Sequence, residues 1–193
     1  MNYKKGKMIT NIKLCAVFLV FSLFGCHTAH QTTAGTANTK AGDVFEMHYQ
    51  TIKLLNELYF LVYESKELTK TWAYVYREED APDKLRLKKI QTLLLPELIA
   101  KIKGASKKWP RKEGKVAGEI IGLAGQLIKS EQDVMKQLDS YEDYEDVMVI
   151  FQVDAHFERG EGSITSITES ILKKTKHLLS FKENELKTAL LNL

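Results

Sequence analysis

Cys26, whose thiol is a nucleophile, closes the apolar run Leu14–Gly25. Met1–Lys13 carries Lys4, Lys5, Lys7 and Lys13 and no acid. A basic segment leading into an apolar one of this length reads as a secretory signal peptide. The run is shorter than the ~20 apolar residues that a spanning helix needs.

Other chemistry finds little support in the spacing. A helical bundle can hold two iron ions when Glu-x-x-His pairs project inward. The nearest approaches, Glu46-Met47-His48 and Asp154-Ala155-His156, set acid and imidazole on different sides of a helix. His-Glu-x-x-His, Gly-x-Ser-x-Gly and a Gly-rich phosphate loop are missing. No metal, cofactor or catalytic residue is therefore assigned, and the chain is not expected to be an enzyme. The acids Asp139, Glu142, Asp143, Glu145 and Asp146 could collect Ca²⁺, but lack the Asp-x-Asp-x-Asp-Gly loop that makes such a site specific. They read as a solvated acidic turn. Ser65, Trp72, Tyr76 and Arg77 are the candidate ligand-binding residues: a small polar break in an apolar seam, two aromatic rings, and a guanidinium able to hold a carboxylate. For Arg77 and Arg86 the in-chain competitors are Glu78, Glu79 and Asp83.

The elements that would position these residues are helices. Residues 27–42, HTAHQTTAGTANTKAG, lack bulky apolar side chains and read as a tether reaching on the order of 20 Å as a coil. Helix 1 is expected from Asp43, with Glu46 completing a capping box, to Arg77. Its seam is Leu54, Leu58, Leu61, Ser65, Leu68, Trp72 and Val75, at alternating fours and threes. The Ser65 hydroxyl can bond back to the Leu61 carbonyl, leaving a small cavity or a flexible joint that Trp72 walls; the alternative is a Ser packed tightly against a bulky residue of another helix. Asp80 is the expected cap of helix 2, Pro82–Trp109, with a kink at Pro96. Helix 3 follows Gly114, burying Ala117, Ile120, Ala124, Leu127, Val134 and Leu138; its Gly118, Gly122 and Gly125 suggest a closely packed neighbour. Tyr141–Asp146 interrupts it before VMVIFQVDAHF resumes. Helix 4 starts at a Ser163 cap and buries Ile164, Ile167, Ile171, Leu178 and Phe181 before fading over Leu186–Leu193. The expected fold is all-α, an antiparallel up-down four-helix bundle. The expected domains are residues 1–25, signal peptide; 26–42, Cys26 and the tether; and 43–193, the bundle.

Charge excludes one class of partner. The whole chain is +3, but residues 1–25 hold four lysines and no acid, leaving 24 Lys+Arg against 25 Asp+Glu, a net −1, on residues 26–193. A near-neutral body has no field to gather nucleic acid. Cys15 falls in the signal segment and Cys26 is its last cysteine, so the body folds without disulfides.

Two resemblances add to this reading. Leu23-Phe24-Gly25-Cys26 resembles the lipobox of bacterial lipoproteins, with Leu at −3 and a small residue at −1. It implies a diacylglyceryl thioether on Cys26, cleavage before it, acylation (palmitate or a similar chain) of the new amino group, and a lipid-anchored place in the cell envelope, on the periplasmic face of a membrane. Glu64–Trp72, Asp83–Ile90, Leu95–Leu98 and Ser140–Phe151 are similar to the helical periplasmic sensing domains of bacterial signalling receptors of the chemoreceptor and sensor-kinase type. That similarity spans about Val44 to Leu179. It implies a non-enzymatic bundle that senses a small molecule or a receptor-type protein partner. Such receptors continue into membrane spans and a cytoplasmic module; here a lipid stands at one end and no second apolar span follows, so the chain is not expected to pass a signal inward itself. The rival reading is a structural or surface-interaction lipoprotein, an adhesin or envelope spacer. A homodimer is a further candidate assembly. A pocket beside Ser65 and Trp72 would favour a small ligand; a filled seam with an exposed apolar patch would favour a protein partner.

Overall fold

Every regular element of the computed structural model is a helix, and it describes the backbone of residues 35–158 and 160–191, with side chains from Phe45 onward. The signal segment and Cys26 lie outside the described residues. The elements are α1 (Gly35–Tyr74), α2 (Pro82–Lys89), a π-helical turn (Ile90–Leu94), α3 (Leu95–Ser106), α4 (Arg111–Gln137), α5 (Tyr141–Glu145), α6 (Val147–Phe157) and α7 (Ile164–Leu191). The all-α expectation holds among the described residues.

α1 starts at Gly35, inside the stretch read as tether, so Asp43 is an interior residue and not the cap. Thr- and Gly-rich composition argues against starting a helix, but adding residues to a long existing helix is far easier than nucleating one. The buried face of α1 is also wider than a narrow seam. Leu58, Leu61, Ser65 and Trp72 are buried as expected, but Leu55, Val62, Thr69 and Ala73 join them, Leu54 and Leu68 are half-buried, and Val75 is exposed. This is the broad stripe of a helix covered by several neighbours.

α2, the π-helical turn and α3 form one continuous helical segment. Its N-cap is Ala81, not Asp80, with Pro82 in the first turn. Just ahead of Pro96, where a kink is expected, the helix widens into the π-turn. The Leu95 amide reaches back to the Ile90 carbonyl, a five-residue step. Widening the helix just ahead of Pro96 eases the clash of the proline ring with the preceding turn and absorbs the missing donor. The segment ends at Ser106, and α4 then starts at Arg111, ahead of Gly114. α5 opens on a capping box between Ser140 and Asp143. Asp146 caps α6, accepting from the amides of Met148 (2.8 Å) and Val149 (3.4 Å). At α7 the Ser163 hydroxyl accepts from the Ser166 amide (3.1 Å), behind Gly162 at a φ of 87° that few other residues adopt. α7 does not fade but continues to Leu191.

From Ala37 to Leu193 the chain is one compact unit. Lys174 meets Glu119 and Lys182 meets Glu113, so α4 and α7 run antiparallel. His48–Glu185 and the Lys176–Tyr59 cation–π contact orient α1 and α7 the same way. Arg86–Glu64 and Lys84–Trp72 do so for α1 and α2. The core is aliphatic, with Leu55, Leu58, Leu87, Ile90, Leu98, Ile120, Leu127 and Ile171 among its fully buried side chains.

The α4 glycines do not serve close packing. A Cβ built at Gly118, Gly122 or Gly125 meets no atom within 4 Å, and all three are exposed. Each costs up to ~1 kcal/mol of helix stability against Ala, with no compensating contact. Gly118→Ala, Gly122→Ala and Gly125→Ala should each raise the thermal midpoint, and the triple variant should raise it nearly additively. A lower midpoint in the triple variant would show that a neighbour does press on this edge.

Candidate functional site

The apolar periodicity of α4 has one break: between Leu127 and Val134, at the step where the stripe calls for an apolar residue, stands Glu131, fully buried. Side chains from two other helical stretches converge on it. Ser65 of α1 donates its hydroxyl to Glu131 Oε2 (2.6 Å), and Gln91 of the π-turn donates Nε2 to the same oxygen (3.1 Å). Thr69, one turn beyond Ser65, donates to the Ser65 carbonyl (2.9 Å). Oε1 of Glu131 is buried with no partner among the described residues, as are the hydroxyls of Thr168 and Thr175 on α7. The core thus contains a polar layer built on a carboxyl group. Burial pushes the Glu131 carboxyl up to about 7, against the hydrogen bonds from Ser65 and Gln91, which favour its charged form.

The π-turn is part of this layer. Gln91 is its second residue, and the extra residue in the turn changes the rotation of the side chains that follow. Sequence reasoning singled out Ser65 and Pro96 and missed Glu131, Gln91 and Thr168. The signal for Glu131 was present: it is four residues after Leu127 and three before Val134.

Ser65 therefore does not bond to the Leu61 carbonyl, and its seam position is no cavity; the Glu131 carboxyl fills it. Ser65→Leu should lower stability by ~1–3 kcal/mol, since the longer side chain overpacks a filled site and removes a donor from a buried carboxyl. Denaturant melts check this, and a gain in stability would restore the cavity.

The other candidates lie apart from Ser65, at the far end of α1. Trp72 is buried, with Lys84 4.3 Å above its ring and its indole N–H unpartnered among the described residues. Trp72 borders a cleft of about 230 Å³ with Glu79, Lys88, Gln132, Met135, Lys136 and Asp139; Ser65, Tyr76 and Arg77 do not line it. Tyr76 stands edge-on to Tyr141 (5.2 Å) and Tyr144 (5.5 Å). Arg77 Nε meets Asp83 (3.0 Å), one of the competitors the sequence offers, whereas Arg86 forms a bidentate pair with Glu64 (2.8 and 2.7 Å). Lys84 and Lys88 both bind Glu79 and hold its carboxyl below the usual range. This end is thus a packed aromatic and ionic tip.

The acidic turn is engaged in capping. Asp143 accepts from the amides of Ser140 (2.7 Å) and Asp139 (3.0 Å) and from the Ser140 hydroxyl, which lowers its pKa. Among the described residues no group of three or more His, Cys, Asp and Glu side chains is placed to hold a metal ion. His48 faces Glu185 (3.4 Å), and His156 faces Gln137 (3.1 Å).

One surface departs from ordinary amphipathic design. α6 turns Val153, and in part Val149, Ile150 and Phe157, towards the body. Its outer side carries Val147, Met148 and Phe151, exposed to 79%, 64% and 68%, with Ala155 a turn further on. A helix apolar on both sides is ordinarily buried on both.

No family model matches the chain, and comparison with curated proteins and with solved structures gave no match. Among the described residues no helix is long and apolar enough to cross a membrane.

Proposed function

We propose that the protein is a lipid-anchored envelope lipoprotein, held through Cys26, whose helical body docks a protein partner and performs no chemistry of its own. The observation that carries this reading is the pairing of a filled seam at Ser65 with an exposed apolar outer face on α6. Of the two sensor-like alternatives, that pairing favours a protein partner over a small molecule in the seam. The antiparallel pairings of α1 with α2, of α1 with α7 and of α4 with α7 support reading the body as an up-down four-helix bundle, with α5 and α6 as an insertion before the last helix. That insertion is where a partner would be met. The anchoring half of the reading rests on the Leu23–Cys26 pattern. Cys26→Ala should accumulate as a precursor that takes up no labelled fatty acid; labelling equal to the parent protein would refute it. For docking, a photo-crosslinking residue in place of Phe151 should give a discrete adduct in the producing cells, abolished by adding Met148→Glu. The same residue in place of Lys129, exposed on α4, should give none. Equal adducts from both positions would mean that α6 is not the docking face.

A further inference from the structure

We infer that the outer face of α6 accepts a basic amphipathic helix: a protein segment with an apolar stripe flanked by Lys or Arg. This rests on the docking reading above and adds the chemistry of the partner.

The stripe supplies the apolar half. Val147, Phe151 and Ala155 recur every four residues, one helical turn apart, with Met148 beside them. Such a row presents a ridge to which another helix can lay its own apolar face. Met148 is the most adaptable of them, with an unbranched side chain that adjusts to a partner's shape.

The charge around the stripe supplies the polar half. Residues 139–161 contain eight acids, Asp139, Glu142, Asp143, Glu145, Asp146, Asp154, Glu158 and Glu161, against Arg159 as their single Lys or Arg. That is a net −7 on a body whose total is −1. Asp143 and Asp146 are occupied in capping, and Asp154 accepts the Tyr74 hydroxyl (2.6 Å). Glu142, Glu145 and Glu158 are exposed, the first two just ahead of the stripe and the third just beyond it. A partner with cations at both ends of its apolar stripe would meet all three. The same charge disfavours the other occupants. Two α6 faces brought together about a twofold axis would set acid against acid, and an anionic lipid surface would be repelled.

Designed peptides of leucine and a single polar residue at helical spacing test this against the full chain in phosphatidylcholine nanodiscs, with empty discs subtracted. The Leu/Lys peptide should bind with one-to-one saturation, more weakly as salt is raised, and the Leu/Glu peptide should not bind. Phe151→Glu with Met148→Glu should weaken the Leu/Lys peptide by about tenfold or more and leave the melting temperature in place, since both side chains are exposed. Glu142→Gln, Glu145→Gln and Glu158→Gln together should weaken it and flatten the salt dependence. A Leu/Gln peptide binding as tightly as the Leu/Lys one would overturn the basic partner and leave docking on α6 standing. Binding of no peptide, or binding indifferent to Phe151→Glu, would overturn both. Self-association abolished by Phe151→Glu would give the face to a second copy of the chain.

Discussion

Denaturant melts taken across pH should show stability declining as pH rises from about 4.5 to about 7, with the decline abolished in Glu131→Gln. The sign follows from which state holds the proton. In the folded protein the Glu131 carboxyl titrates near 7; in the unfolded chain it returns to about 4.5. Between those values the folded state binds more protons, so each step up in pH favours the unfolded state. Below about 4.5 the group is neutral in both states and has no effect, and above about 7 the penalty is complete. A shift of this size corresponds to about 3 kcal/mol. Glu64, Glu79 and Asp143 act in the opposite sense, each held below its usual range by its partners, so they lose stabilisation as pH falls below their unfolded values. Stability should therefore peak near pH 5. Glu131→Gln keeps an acceptor for Ser65 and Gln91 and no longer titrates. It should gain most at pH 8, by up to about 3 kcal/mol, and little at pH 4.5. Parallel pH profiles for the two proteins would show that water or a relaxed conformation solvates the carboxylate.

The same residue shows what the sequence could and could not disclose. Helix type and approximate extent were legible because apolar residues recur at threes and fours and turns are marked by Pro82, Pro110 and Gly162. The aliphatic face of α4 was legible residue by residue, down to Leu138. Glu131 escaped because a charged side chain on a buried stripe is ordinarily assigned to the rim, and only partners from distant segments make its burial tolerable. Those partners, Ser65 and Gln91, lie 66 and 40 residues away. Thr168 and Thr175 escaped in the same way, as polar residues inside an apolar repeat. Ser65 was noticed for its small size, but its function is decided by what faces it, which no local pattern encodes. The glycines of α4 misled in the opposite direction: small residues on one helix edge suggested a neighbour, and solvent is there instead. On α6 the residues VMVIF gave away their apolarity but not which of them face out.

The largest loss of stability should come from Lys182. Its ammonium lies in the body, with the residue only 3% exposed, against the Glu113 carboxylate and 2.8 Å from Glu185, with the Trp109 ring 5.2 Å away. The aliphatic stem is covered as well, so the residue contributes packing along with charge. Lys182→Met keeps most of the stem and removes the charge. Glu113, itself largely buried, is then a carboxylate without its cation, which costs about 3–5 kcal/mol when one partner of a buried pair is lost. Glu185 lies nearer to solvent and should contribute little. Adding Glu113→Gln to Lys182→Met should recover most of the loss, because the attraction within a buried pair is largely spent on taking both charges out of water. The recovery separates two readings that the single variant does not. If Lys182 matters chiefly as packing against Trp109, the double variant will be no more stable than Lys182→Met. If it matters as the counter-ion of Glu113, the double-mutant cycle will show a strong coupling between positions 113 and 182, little changed by added salt, because the pair is shielded from solvent ions.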